Sequence, residues 1–98
     1  MDKATVSRDG DTLRVQGELD FDSVADLWET TGSLFFAEPI RRIDLGEIHR
    51  SNSAGVALLV GWLRQARRRR WEPVFVHVPA QMRAIIEVAD LETVLPIT

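Results

Sequence analysis

The spacing of apolar residues changes several times along the chain, and these changes limit the folds available to it. Residues 13–19 read LRVQGEL, in which every second residue is apolar or glycine. This period of two predicts a strand with one buried face. Residues 3–8 predict another strand, and Asp9-Gly10-Asp11 between the two is typical of a tight turn. We therefore expect the fold to open with an antiparallel hairpin.

A helical pattern follows the hairpin. We expect this helix to be capped by Asp20 or Asp22. It should end near residue 36, because Gly32 weakens its last turn and Pro39 prevents its continuation. The residues that recur at helical spacing are Val24, Leu27, Trp28, Thr31, Leu34 and Phe35.

Strand and helix patterns then alternate to the end of the chain. Residues 40–48 (IRRIDLGEI) and 74–78 (VFVHV) predict short strands, and residues 53–69 between them predict the longest helix. A third helix should have Pro79 as its first residue. Its apolar stripe comprises Met82, Ile85, Ile86 and Ala89. Residues 94–97 predict a last short strand.

The predicted order of elements is β-β-α-β-α-β-α-β. Alternating strands and helices imply right-handed crossovers and a mostly parallel sheet, and the hairpin makes that sheet mixed. Three helices are few for covering both faces, so we expect them mainly on one side. A chain of 98 residues is long enough for one core. The prediction is a single α/β domain that spans residues 1–98.

Composition excludes several classes of function. The chain has no cysteine, so a disulfide framework, a thiolate zinc site and a cysteine nucleophile are excluded. No apolar run approaches the ~20 residues that a membrane span needs. The first ten residues lack the apolar core of a signal peptide, and we expect a cytoplasmic protein. The formal net charge of −3 argues against nucleic acid as a partner.

Residues 50–59 (RSNSAGVALL) place a small polar cluster directly before an apolar helical run. A serine nucleophile needs a nearby base, but the chain has only His49 and His77, and no G-x-S-x-G elbow surrounds Ser53. The Walker pattern is absent, and no spacing of histidines and carboxylates converges on a metal. We expect no catalytic residue, cofactor or metal here. An anion at the helix start stays an alternative.

The pattern of residues 53–69 predicts a helix with one buried face and an opposite face of unusual composition. Asn52 or Ser53 should cap it. The buried face comprises Val56, Leu59, Val60, Leu63 and Ala66, with Leu58 and Trp62 flanking it. The opposite face carries Ala57 and Gly61, then Arg64 and Arg68. Because a solvated helix face is usually long and charged, small residues beside an exposed helix start indicate a surface for another polypeptide. An ordinary small-residue face is the alternative.

At these residues the chain resembles a known family. Residues 43–60 (IDLGEIHRSNSAGVALLV) resemble the core signature of STAS domains, in which a strand leads to Asp-Ser/Thr-x-Gly at a helix start. Asn52-Ser53-Ala54-Gly55 occupies that motif. STAS domains include bacterial anti-sigma factor antagonists, in which a partner kinase phosphorylates the serine or threonine. The resemblance implies that Ser53 is the centre of a partner contact and a candidate phosphorylation site. With it we predict a docking set that comprises Asn52, Ser53, Ala54, Gly55, Ala57, Gly61, Arg64 and Arg68.

The likeness extends to one branch of this family, the MlaB subunits of Mla phospholipid ABC transporters. Gly-Glu-Leu-Asp at 17–20, Leu-Trp-Glu at 27–29, Ile-Asp-Leu at 43–45 and Ala-Leu-Leu at 57–59 carry it. It implies a non-enzymatic subunit on the MlaF-like cytoplasmic ATPase of an inner-membrane complex with permease and substrate-binding subunits. In that branch the complex maintains outer-membrane lipid asymmetry.

Two details refine this expectation. Asn52 departs from the usual aspartate of the motif, so the carboxylate beside the phosphorylatable serine is missing. A constitutive contact therefore fits better than a phosphorylation switch, and an anti-sigma factor antagonist regulated at Ser53 is the alternative. The run of arginines at 67–70 has three interpretations: neutralising the helix C-terminus, which we favour, touching anionic headgroups, or a solvated end.

Overall fold

The computed structural model describes residues 4–98, without the side chains of residues 33–37. Lys3 of the first predicted strand, and the side chains of Leu34 and Phe35 in the predicted helical stripe, lie outside the described residues. The elements follow in the order β1 (Thr5–Asp9), β2 (Thr12–Leu19), α1 (Phe21–Ala37), β3 (Arg42–Ser51), α2 (Ser53–Arg68), β4 (Val74–Val76) and α3 (Ala80–Val88).

The described strands form one mixed sheet in the order β1-β2-β3-β4. β1 and β2 pair antiparallel across the predicted turn, where Gly10 adopts a φ of 61° that glycine tolerates without strain. β2 pairs with β3, and β3 with β4, in parallel. Both connections between these parallel neighbours run through a helix. The predicted α/β fold with a mixed sheet is confirmed.

One face of the sheet carries the core. Leu13, Val15 and Leu19 of β2 are buried, whereas Arg14 and Gln16 between them are exposed. Across the sheet the buried residues are Ile43, Leu45, Ile48 and Phe75. The strict alternation of β3 is interrupted after Leu45, where the register between β2 and β3 shifts. The helices therefore cover one face, as predicted, and the other face is polar and open.

The buried face of α2 is wider than its apolar periodicity predicts. Trp62 and Leu58, expected only to flank the core, are 0% and 2% exposed. Helix α1 packs on this side of α2, and the Trp62 indole Nε1 donates a hydrogen bond of 3.0 Å to the buried Thr31 hydroxyl. A helix packed between the sheet and two neighbouring helices buries more than one stripe.

The end of the chain differs in detail from the prediction. The last predicted strand contributes an isolated parallel bridge between Ile97 and Phe75. The Phe75 N–H donates to the Pro96 carbonyl at 2.8 Å, and the Thr98 N–H donates to the Phe75 carbonyl at 3.1 Å. Pro79 is the N-cap of α3 rather than its first helical residue, because its ψ of 151° is extended.

Candidate docking surface

The helices α1 and α2 both begin directly where a strand of the sheet ends. Asp20 caps α1 after β2, and Asn52 caps α2 after β3. The Asn52 N–H donates to the Leu19 carbonyl at 3.1 Å, which ties the two strand ends together. The two helix starts therefore lie at the same edge of the sheet, beside a shallow polar recess. The recess is lined by Glu18, Leu19, Asp20, Arg50, Ser51, Asn52 and Gln81.

Asn52 is the residue that caps α2. Its side-chain Oδ1 accepts the Ala54 N–H at 2.8 Å, and its carbonyl accepts the Gly55 N–H at 3.1 Å. Ser53 is then the first helical residue and is exposed. Within the described residues, no hydrogen bond engages its hydroxyl. Ser53 is therefore free to contact another molecule, while Asn52 holds the helix start.

Two residues of the predicted docking set, Ala54 and Gly55, face the chain itself. Ala54 is 5% exposed. A Cβ on Gly55 would collide with the Ser51 hydroxyl and lie 3.0 Å from the Leu19 Cβ. The motif glycine thus allows α2 to begin against the ends of β2 and β3. Ala54 and Gly55 therefore set the position of the start of α2, and neither is exposed to a partner.

Gly61 also has a different neighbour from the one we expected. A Cβ at Gly61 would lie 2.8 Å from Cζ3 of Trp28 on α1. The close approach that the small residue permits is therefore made by the chain's own indole ring. Ala57, one turn earlier, is exposed. Trp28 therefore occupies the space that the missing side chain of Gly61 leaves open.

An exposed apolar groove lies between α1 and α2. Phe21 is 72% exposed and Trp28 is 41% exposed. The groove is lined by Phe21, Val24, Ala25, Trp28, Ala57, Leu58 and Gly61. Because Ala57 follows Ser53 by one helical turn, the groove is continuous with the exposed start of α2. Together, Ser53, Ala57 and the groove residues Phe21 and Trp28 form what we call the docking surface.

The exposure of Phe21 was not predicted from the sequence, and Trp28 was expected in the core-facing stripe of α1. Phe21, Ala25 and Trp28 are spaced i, i+4 and i+7, which places them on one helix face. The buried residues Leu27 and Thr31 lie on another face. This second apolar stripe is the feature of the sequence that could have indicated Phe21 and Trp28 as surface residues.

The arginines in α2 and directly after it fall into two groups. Arg64 and Arg68 are exposed and form no ion pair with any described residue. Arg67 bonds to Glu72 at 2.9 Å, and this hydrogen bond lowers the pKa of Glu72. Arg69 lies 5.8 Å from the centroid of the Trp71 ring. Arg67 and Arg69 thus secure the end of the helix, whereas Arg64 and Arg68 extend into solvent.

Neither histidine forms a hydrogen bond with Ser53 in the part of the chain that the structure describes. His77 Nδ1 lies 3.1 Å from Asp44 Oδ1 on the open face of the sheet. His49 is exposed on β3. Among the described residues, no group of three or more histidine or acidic side chains is placed to hold a metal ion. Nor does that part of the chain contain a helix long and apolar enough to cross a membrane.

Comparison with known families shows the family to which the chain belongs. A family model described as MlaB, STAS domain matches residues 4–96. The chain therefore belongs to the STAS domains and, within them, to the MlaB family. No curated protein sequence matches it.

Solved structures share the fold. A chain of the Acinetobacter MlaFEDB complex in an ATP-bound conformation is 26% identical, with a TM-score of 0.80 over 96% of this chain and 100% of that one. The anti-sigma factor antagonist SpoIIAA in its unphosphorylated form is 18% identical, with a TM-score of 0.66 over 86% and 81% of the two chains. An anti-sigma factor antagonist from Mycobacterium paratuberculosis is 20% identical, with a TM-score of 0.71 over 96% and 82%. The last two comparisons concern the fold alone.

Proposed function

We propose that this chain is a non-enzymatic accessory subunit of a Mla-type phospholipid ABC transporter. It docks on the cytoplasmic ATPase subunit at the inner membrane and supports assembly and activity of the complex in maintaining outer-membrane lipid asymmetry. The observation that carries the proposal is the match to a chain of the MlaFEDB complex over 96% of this chain and 100% of that one. Family membership supports the same assignment.

The exposed surface supports docking on a protein. Phe21 and Trp28 offer the aromatic side chains that dominate many interfaces, and Ala57 lets a partner approach α2 closely. Arg64 and Arg68 lie farther along α2, where carboxylates of the partner would pair with them. An apolar centre with charged residues at its rim is the usual arrangement of a specific interface.

A matched pair of variants tests this proposal. Ala57→Glu places a charged side chain in the docking surface, whereas Ala84→Glu makes the same change at an exposed position of α3. We expect Ala57→Glu to abolish co-purification with the transporter ATPase and Ala84→Glu to retain it. The melting temperatures of both variants should stay near that of the unmodified chain. Co-purification that survives Ala57→Glu would contradict the proposed surface.

The second candidate function is an anti-sigma factor antagonist regulated at Ser53. The exposed, unengaged Ser53 hydroxyl favours it. The missing carboxylate at Asn52 favours the transporter subunit instead. Incubation with a partner kinase and ATP should add a phosphate mass that Ser53→Ala abolishes, if this second function is correct. An unchanged mass, together with ATPase binding, supports the transporter subunit.

A further inference from the structure

The last N–H group of β3 finds its acceptor outside the sheet. β4 pairs with β3 only from Arg42 to Asp44, so in the described chain no strand lies on that side of the end of β3. The Ser51 N–H instead donates to Oε1 of Gln81, in the first turn of α3, at 2.9 Å. The two residues are 30 positions apart in the sequence, so α3 holds the strand end through a tertiary contact.

The end of β3 is held from both sides. The Ser51 N–H points towards Gln81, and the next N–H, that of Asn52, points to the opposite side and donates to Leu19 of β2. The Ser51 hydroxyl donates to the Asn52 carbonyl at 3.0 Å and packs against Gly55. These contacts determine the direction in which α2 leaves the sheet.

We propose that Gln81 is a positioning residue of the docking surface. Its side-chain carbonyl fixes the end of β3, and through it the start of α2 that presents Ser53 and Ala57. This inference rests on the proposed function. Gln81 lines the recess beside Asn52 and is not part of the docking surface. It acts on that surface through its hydrogen bond to the backbone of Ser51.

Two substitutions separate the hydrogen bond from the bulk of the side chain. Gln81→Met keeps the length of the side chain but removes the acceptor, whereas Gln81→Glu keeps an oxygen acceptor. In the free chain, we expect amide hydrogen exchange at Ser51 to be about tenfold faster in Gln81→Met. Affinity for the transporter ATPase should fall about fivefold in Gln81→Met. Gln81→Glu should restore both, and Glu87→Met, at an exposed position of the same helix, should change neither.

Hydrogen exchange and ATPase affinity together distinguish failure of the strand contact, failure of the positioning role and failure of the proposed function. Unchanged exchange at Ser51 in Gln81→Met would overturn the hold on the strand end. Faster exchange with unchanged affinity, or an equal loss of affinity in Gln81→Glu, would overturn the positioning role. An unmodified chain that binds no ATPase would overturn the proposed function and the docking role with it, while exchange at Ser51 would still show whether Gln81 holds the strand.

Discussion

At the scale of single residues, Gly55 illustrates why the motif needs a glycine. A side chain there would collide with the Ser51 hydroxyl, so we expect Gly55→Ala to lower the free energy of unfolding by about 1–3 kcal/mol. Gly32→Ala is the matched control within α1, since a Cβ there meets no described atom within 4 Å. It should raise stability by about 0.5–1 kcal/mol through helix propensity. Urea unfolding measures both, and equal effects would contradict the packing at Gly55.

Asp44 makes the stability of the fold depend on pH. Partial burial tends to raise its pKa, but hydrogen bonds from the Gly46 N–H and from His77, with the charges of His77 and Arg14, bring the pKa below its ordinary value of 3.8. A folded pKa below the unfolded value stabilises the fold at pH values above 3.8, and this contribution is lost as the pH falls through the folded value.

The Asp44→Asn variant tests this dependence. Its deficit in unfolding free energy relative to the unmodified chain should be present at neutral pH and should shrink in acid, because protonation makes the two side chains alike in charge. Urea unfolding at a series of pH values provides the measurement. A deficit of constant size down to strongly acidic pH would show that Asp44 acts only by packing.

At the scale of elements, α1 and α2 are joined by the hydrogen bond from Trp62 to Thr31. Thr31→Val removes this acceptor at nearly constant volume and should destabilise the fold by about 1–3 kcal/mol. Thr30→Val is the control: Thr30 makes the same kind of bond to the carbonyl four residues earlier, but it is exposed. Thermal unfolding of the pair measures the difference, and equal losses would assign the effect to the helix alone.

The elements also show what the sequence can and cannot predict. The start of α2 was predictable because a capping residue and an apolar stripe are local signals, and the structure has this helix at Ser53–Arg68. The apolar stripe of Phe21, Ala25 and Trp28 is visible in the sequence, but its exposure as a groove was not predictable. That exposure depends on how Trp28 of α1 packs against Gly61, 33 positions away by residue number. The bond between Ser51 and Gln81 is likewise a product of the tertiary fold. No local pattern encodes it.

At the scale of the whole molecule, the docking surface is separate from the core. Phe21 is mostly exposed, so Phe21→Ala should change the unfolding free energy by less than about 0.5 kcal/mol. If Phe21 anchors a partner, the same change should weaken binding to the transporter ATPase about tenfold. Val88→Ala, at another exposed apolar side chain, should affect neither. Calorimetric titration checks the affinities, and parallel weakening by both variants would point to a non-specific apolar contact.

A single residue separates each parallel strand from the helix that follows it at this edge: Asp20 between β2 and α1, and Asn52 between β3 and α2. Neither junction has a spare loop residue that could absorb an insertion. Inserting one residue after the cap would rotate everything downstream by about 100° about the helix axis. The face that now points outward would turn into the core. We therefore expect this end of the sheet to tolerate the exchange of exposed side chains but not a change in chain length.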